Sequence, residues 1–326
     1  MGQGIDLRYK RIRKLGSGGC ADAFLARDKK TGRLVTLKCL REGGEKEYKK
    51  ASESLINEAD ILRRLRHKGI PALIDAGDEY VAIEFAPGKS LLAVLREQKR
   101  LKEKEAVRIA KEILSILGYL HSRREPIIYR DLKPSNIIIS ADGEVTLIDY
   151  GVSRIYREDE RNDSTYLGTC GFAAPEQYGS LGQTNPQTDI YCFGMTLLQM
   201  LSGIDTKDDQ AVERVKENGV RGVSSELMAV IRKCIKPDRS ERFRDVGEIK
   251  AALDKCSITK IKRKVFLGIR LSLAAACISM AVTAGISHYE VAKEYIQEDT
   301  RNRLPAVKER LGRAKVRIEE YMEDLR

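Results

Sequence analysis

Residues 129 to 151 read YRDLKPSNIIISADGEVTLIDYG, and no other run of the chain constrains it as tightly. Two carboxylates (Asp131, Asp149), an ammonium (Lys133) and a carboxamide (Asn136) are set around one loop, strand and turn. Together they are almost every group needed to move a phosphoryl group from a nucleotide to a hydroxyl. Either acid alone could be an N-cap or a turn residue; the set at this spacing does not read that way. At 326 residues with 42% hydrophobic side chains, the chain can bury a sizeable core and exceeds the usual single-domain length. One bilobed domain with an appendage is expected.

Upstream, three short strands are predicted at Tyr9 to Leu15, Asp22 to Asp28 and Arg33 to Cys39, with Thr31-Gly32 turning the second pair. Between the first two lies Gly16-Ser17-Gly18-Gly19-Cys20-Ala21, where small residues let backbone amides approach phosphate oxygens. Taken alone, this could be a plain tight turn. Leu37-Lys38 closes the third strand, and a helical pattern then runs through Ala51, Leu55, Glu58, Leu62 and Leu65. A Lys38–Glu58 pair by itself could be a solvated surface contact. Tyr80 to Phe85 reads as an apolar strand, and Leu101 to Ser122 as a buried helix carrying Val107, Ala110, Ile113, Leu114, Leu117 and Leu120.

The order and spacing of these features resemble the protein kinase family from about Tyr9 to about Leu253. Lysine two residues beyond Asp131 resembles the Ser/Thr branch, and IIYRDLKPSN with AAPEQYG resembles the membrane-anchored, eukaryotic-like Ser/Thr kinases of bacteria. The resemblance implies ATP, with Mg²⁺ or in its place Mn²⁺, and protein substrates. It makes Asp131 the group that accepts or orients the substrate hydroxyl's proton and Lys133 the cation at the γ-phosphate. Asn136 and Asp149 become the metal ligands. Gly16, Ser17, Gly18 and Gly19 form the phosphate loop, Lys38 touches the α- and β-phosphates with Glu58 as its partner, and Glu84 and Ala86 lie in the hinge that meets adenine, behind Ile83. Ala21 stands where the family has a third glycine. Tyr129 and Tyr150 replace a histidine and a phenylalanine, both keeping a ring able to pack.

Residues 152 to 176 resemble an activation segment that ends Ala174-Pro175-Glu176. By that resemblance Arg130 captures a phosphate on Ser164 or Thr165, placed there by autophosphorylation, and Thr169 contacts Asp131 and Lys133 and helps admit Ser or Thr substrates. Asp189 would steady the catalytic-loop backbone, and Arg242 would pair with Glu176. The alternative is a pseudokinase-like membrane scaffold that binds nucleotide and partners without transfer.

The net charge of +11 is concentrated in two blocks. Residues 1 to 50 carry 14 basic against 6 acidic side chains, and residues 255 to 270 carry six cations and no acid, so the remaining 260 residues sum to −3. Neither block interleaves aromatic residues, which argues against nucleic acid. The second runs into an apolar window, Val265 to Ile286, interrupted only by Arg270, whose 22 residues at about 1.5 Å each match a hydrocarbon core of about 30 Å. Lys260 to Lys264 would then face the cytoplasm and an anionic membrane surface.

The tail places Leu304, Val307, Leu311, Ala314, Ile318, Tyr321 and Leu325 at coiled-coil steps, compatible with a homodimer or with a monomeric surface helix. Seven cysteines without paired or metal spacing point to reduced thiols. The expected fold is α+β: a kinase catalytic domain over 1–255, comprising an antiparallel N-lobe sheet with one main helix (about 1–86) and a mainly helical C-lobe (about 87–255). A basic juxtamembrane linker (256–264), a single transmembrane helix (265–286) and a short extracytoplasmic helical tail (287–326) follow. That arrangement makes the chain a single-pass cell-membrane protein with its catalytic domain in the cytoplasm.

Overall fold

Three consecutive strand segments, the third with alternating burial, build an antiparallel meander in a computed structural model of the chain. The structure describes residues 3–18, 21–41, 44–156, 168–178 and 183–256. Strands β1 (Tyr9–Ser17), β2 (Ala21–Asp28) and β3 (Leu34–Leu40) continue through β5 (Tyr80–Glu84) to β4 (Leu73–Gly77), in the order β1-β2-β3-β5-β4. Tyr9, Ala26, Val35, Leu37, Cys39 and Ala82 form a small core, and Ile5 of a short helix α1 (Gln3–Arg8) packs against it. The β2–β3 turn is where Thr31-Gly32 predicts it. The buried Asp28 carboxylate accepts from the Lys30 amide (3.0 Å) and the Thr31 hydroxyl (2.9 Å), and Gly32 takes the left-handed φ of 74° that the turn requires.

Helix α2 (Glu45–Arg63) presents Ala51, Leu55, Ala59 and Leu62 at helical spacing, all buried. Leu55, Ala59 and Leu62 belong to the same core cluster as Val81 and Ile83 of β5. Each fully buried leucine contributes about 1.5–3 kcal/mol, which fixes the rotation of α2 and so the direction of its polar positions.

The second lobe follows the expected helical pattern. After β6 (Lys89–Ser90), α3 (Leu91–Gln98) and α4 (Glu103–His121) are joined by α5 (Pro186–Ser202), α6 (Asp209–Asn218), α7 (Ser225–Cys234) and helical residues 246–256. In α4, Ile109, Ile113, Leu117 and Leu120 are fully buried. The start of α5 is specified by Asn185, which accepts from the Gln187 amide at 2.9 Å, by Pro186 in the first turn, and by the Thr188 hydroxyl, which accepts from the Asn185 amide at 3.1 Å. It stops at Gly203, with φ 70°.

Short strands β7 (Ile127–Ile128), β8 (Ile137–Ile139), β9 (Val145–Leu147) and β10 (Arg154–Ile155) frame the run of residues 129–151. Gly88 enters β6 at φ 144°, where a Cβ would lie 2.2 Å from the Ile139 carbonyl oxygen, so only glycine fits beside β8. The result is the α+β, two-lobed arrangement expected, with α1 as an unforeseen addition to the first lobe.

Among the described residues no helix is long and apolar enough to cross a membrane. The predicted span 265–286, the linker beyond Cys256 and the tail 287–326 lie outside the described residues. Cys39, Cys192, Cys234 and Cys256 are buried free thiols, and Cys170 is exposed.

Candidate active site

Lys38 sits in the middle of the first sheet, in register with Ala23 of β2 and Val81 of β5, so its backbone cannot shift without breaking two ladders. Its Nζ donates to both Glu58 carboxylate oxygens at 2.7 Å and to Asp149 Oδ1 at 3.0 Å. Glu58 is only 2% exposed and also accepts the Tyr150 amide at 3.0 Å. Burial opposes the Lys38 charge, but Asp149 and Glu58 outweigh it and raise the lysine's pKa. Lys38 in turn holds the Asp149 carboxyl below the usual carboxylate range against burial. Burial pushes the Glu58 carboxyl up, with Lys38 as the main opposing influence.

The catalytic loop is hung from a fully buried acid. Asp189, in the first turn of α5, accepts the Tyr129 amide (2.9 Å) and the Arg130 amide (2.7 Å), and pairs with His121 Nε2 at 2.7 Å. Between these anchors Arg130 adopts φ 67°, and Asp149 adopts φ 72°. Both are left-handed conformations that are strained in non-glycine residues. Strain at the residue before one acid, and at the other acid itself, is held only because their surroundings over-determine it.

Asp131 is thereby presented to a compact polar set. Its Oδ1 accepts the Thr169 hydroxyl at 2.7 Å, and its Oδ2 accepts Asn136 Nδ2 at 2.8 Å and lies 2.8 Å from Lys133 Nζ. Lys133 also donates to Thr169 Oγ1 at 2.7 Å, closing a triangle. Nearby, Arg242 pairs with Glu176 through two nitrogens at 2.7 and 2.9 Å. Arg130 is buried and donates to the Val152 carbonyl at 2.6 Å.

At the mouth of the first lobe, Gly16 and Ser17 end β1, and the Gly18 amide donates to Ala21 O at 2.9 Å. A Cβ built on Gly16 would meet no atom of the described residues within 4 Å, so packing among them does not demand glycine there. Glu84 closes β5 with its side chain turned to the Ala72 amide (3.3 Å), and half-buried Ala86 follows in the hinge loop. Gly19, Ser164 and Thr165 lie outside the described residues.

Three contributors were not read from the sequence. Gln177 donates to the Arg130 carbonyl at 2.9 Å while accepting the Ala174 amide at 3.0 Å, which ties the end of the activation segment to the catalytic loop. Thr196 of α5 donates to Leu132 O at 3.2 Å. Asn57 of α2 faces the backbone after Asp149. A carboxamide or hydroxyl at these positions has no local signal, since each partner lies far along the chain.

With this geometry established, comparison with known proteins is decisive: the protein kinase domain matches residues 9–255. The chain belongs to the protein kinase family. This kinase is 34% identical over 277 residues to the serine/threonine-protein kinase PknA of Nostoc sp. (78% of this chain, 48% of that one). It is 31% identical over 259 residues to the probable serine/threonine-protein kinase PknB of Lactococcus lactis (74% and 41%), and 32% identical over 204 residues to sperm motility kinase 3A of Mus musculus (61% and 39%). The chain spans less than half the length of each of these relatives.

The family generally uses ATP and a divalent metal ion. The donor set fits a hard cation. Asp149 engages Lys38 through Oδ1 and keeps a side chain 49% exposed, while the Asn136 amide oxygen accepts only a long 3.3 Å bond from Ser135. Among the described residues no group of three His, Cys, Asp or Glu side chains gathers to hold a metal. One carboxylate and one amide oxygen, with nucleotide phosphates, would be the ligands of such an ion.

Proposed function

We propose that this chain is an ATP-dependent serine/threonine protein kinase, anchored in the cell membrane with its catalytic domain in the cytoplasm. The observation that carries the activity is the Asp131–Thr169–Lys133 triangle together with the Lys38–Glu58–Asp149 cluster, the Asn136 carbonyl accepting the amide of Ile148, the residue before Asp149. Asp131 would orient the substrate hydroxyl and take its proton at a carboxylate oxygen, and Lys133 would meet charge developing on the transferred phosphoryl group. Thr169, bonded to both, supports a Ser or Thr acceptor. Lys38 would hold the α- and β-phosphates, the Gly16–Gly18 backbone would cover them, and the Glu84–Ala86 hinge would meet adenine. Mg²⁺ held by Asn136 and Asp149 would neutralise phosphate charge when bound.

Autophosphorylation of Ser164 or Thr165 belongs to the same reading, supported by the resemblance of Arg130, next to Asp131, to the arginine that captures an activation-segment phosphate. The membrane assignment rests on the sequence: a basic cluster followed by an apolar window of spanning length, with the cations meeting anionic headgroups. A homodimer through the tail would favour phosphorylation in trans.

The test is incubation of the full-length chain with Mg²⁺ and labelled ATP, beside Asp131→Asn. Label on the chain itself or on a generic protein substrate, lost in the variant, supports the reading. Nucleotide binding with no transfer would replace it with a scaffold.

A further inference from the structure

We infer that Asn57 is a positioning residue for the metal-holding turn: its carboxamide ties the backbone after Asp149 to helix α2. This deepens the kinase reading proposed above and rests on it for its catalytic consequence. Asn57 Nδ2 donates to the carbonyls of Ser153 (2.8 Å) and Gly151 (3.0 Å), with that of Tyr150 at a longer 3.5 Å. Three acceptors converging on one atom assign it as the nitrogen, since the amide oxygen there would face only other oxygens.

The turn needs such a hold. Asp149 is strained at φ 72°, and the chain reverses tightly enough for the Ser153 amide to reach the Tyr150 carbonyl at 3.0 Å. Gly151 presses against α2 so closely that a Cβ would lie 2.3 Å from the Ser54 hydroxyl oxygen. On the entry side of the turn, Glu58 accepts the Tyr150 amide at 3.0 Å. Two successive residues of α2 therefore grip the turn by opposite polarities: Glu58 takes an N–H, and Asn57 supplies N–H groups to the carbonyls. A movement of α2 that withdraws Glu58 from Lys38 withdraws both grips together. Asp149 keeps its bond to Lys38, which stands on β3, but its turn loses both backbone restraints in one step.

The test uses the full-length chain carrying Asn57→Asp, which keeps the volume but points acceptors at acceptors, and Asn57→Ala. Three quantities are compared with wild type: the Mg²⁺ concentration giving half-maximal transfer, the KM for a peptide substrate, and amide hydrogen exchange over residues 148–155. Both variants are expected to raise the Mg²⁺ requirement about ten-fold, equivalent to about 1.4 kcal/mol, and to speed exchange in the turn, with peptide KM unchanged. An unchanged Mg²⁺ requirement with unchanged exchange overturns the inference. So does faster exchange spread evenly over the chain, which marks a merely structural residue. Should Asn57→Ala fail to fold, the isosteric Asp variant decides. If wild type itself transfers no phosphate, the kinase reading fails, while exchange at 148–155 still decides whether Asn57 holds the turn.

Discussion

The rings of Tyr129 and Tyr150 meet edge to face, with centroids 5.1 Å apart and planes at 68°. Both side chains are fully buried, yet their hydroxyls have opposite fates. Tyr129 donates to the carbonyl of Ile148, directly linking the catalytic loop to the residue before Asp149. The Tyr150 hydroxyl is buried and finds no hydrogen-bond partner among the described residues. An unsatisfied buried hydroxyl costs about 1–3 kcal/mol.

Tyr150→Phe should therefore leave the ring packing intact and stabilise the domain by about 1 kcal/mol, a rise in Tm of about 2–4 °C for a domain of this size. Tyr129→Phe should do the reverse, because it strips a donor from the Ile148 carbonyl. Thermal unfolding of the two variants beside wild type checks the pair. Equal and opposite shifts are expected, and a destabilised Tyr150→Phe would contradict the reading of its hydroxyl.

Lys38→Met removes the one cation shared by Glu58 and Asp149. Transfer should fall by about 10²–10³-fold, the scale of losing one preorganised electrostatic contact. Glu58, buried and without its lysine, should take up a proton, so the fold survives the change. Single-turnover phosphoryl transfer with a circular dichroism control measures both. Retained transfer would detach Lys38 from the chemistry.

What could be read in the sequence follows from distance along the chain. Asp131, Lys133, Asn136 and Asp149 stand at offsets fixed by one loop, two short strands and a turn, so their grouping was legible before any fold was known. Lys38 and Glu58 were legible only through the resemblance to the kinase family, since a strand lysine and a helix glutamate alone could be a solvated surface pair. Asn57 was hidden: on the helix it is one more polar position, and its partners, 93 to 96 positions away, are backbone atoms with no sequence signature. Strands β6 to β10, of two or three residues each, are too short to show a period. Helix α1 is six residues long and has none either.

Replacing both Ser164 and Thr165 by alanine should lower peptide phosphorylation about ten-fold or more. Arg130 resembles the arginine that receives such a phosphate, and burial, then the charge of Arg154, pushes its guanidinium down to about 10. A phosphate supplies close to two charges and three acceptor oxygens. Phosphosite mapping of wild type and Asp131→Asn, together with turnover of the double variant, checks this. Unchanged turnover and phosphate content would dismiss the switch.

The Arg242–Glu176 pair yields a prediction whose sign depends on pH. Burial pushes the Glu176 carboxyl up, but the hydrogen bonds and charge of Arg242, with the Thr188 hydroxyl, outweigh it and hold the group below the ordinary range. An acid whose folded pKa is depressed contributes stability above its unfolded pKa and loses it as pH falls through the folded value. In the wild type this contribution is therefore complete at neutral pH and lost only under acid conditions. Arg242→Met leaves Glu176 buried at 6% exposure with no cation, a loss of about 3–5 kcal/mol at neutral pH. The folded pKa then lies above the unfolded one, and the sign reverses: the variant should gain stability as pH falls from 7 towards 5, where wild type stays flat. Urea unfolding of both proteins across that range measures the two slopes, and parallel curves would show that Glu176 keeps its charge by some other means.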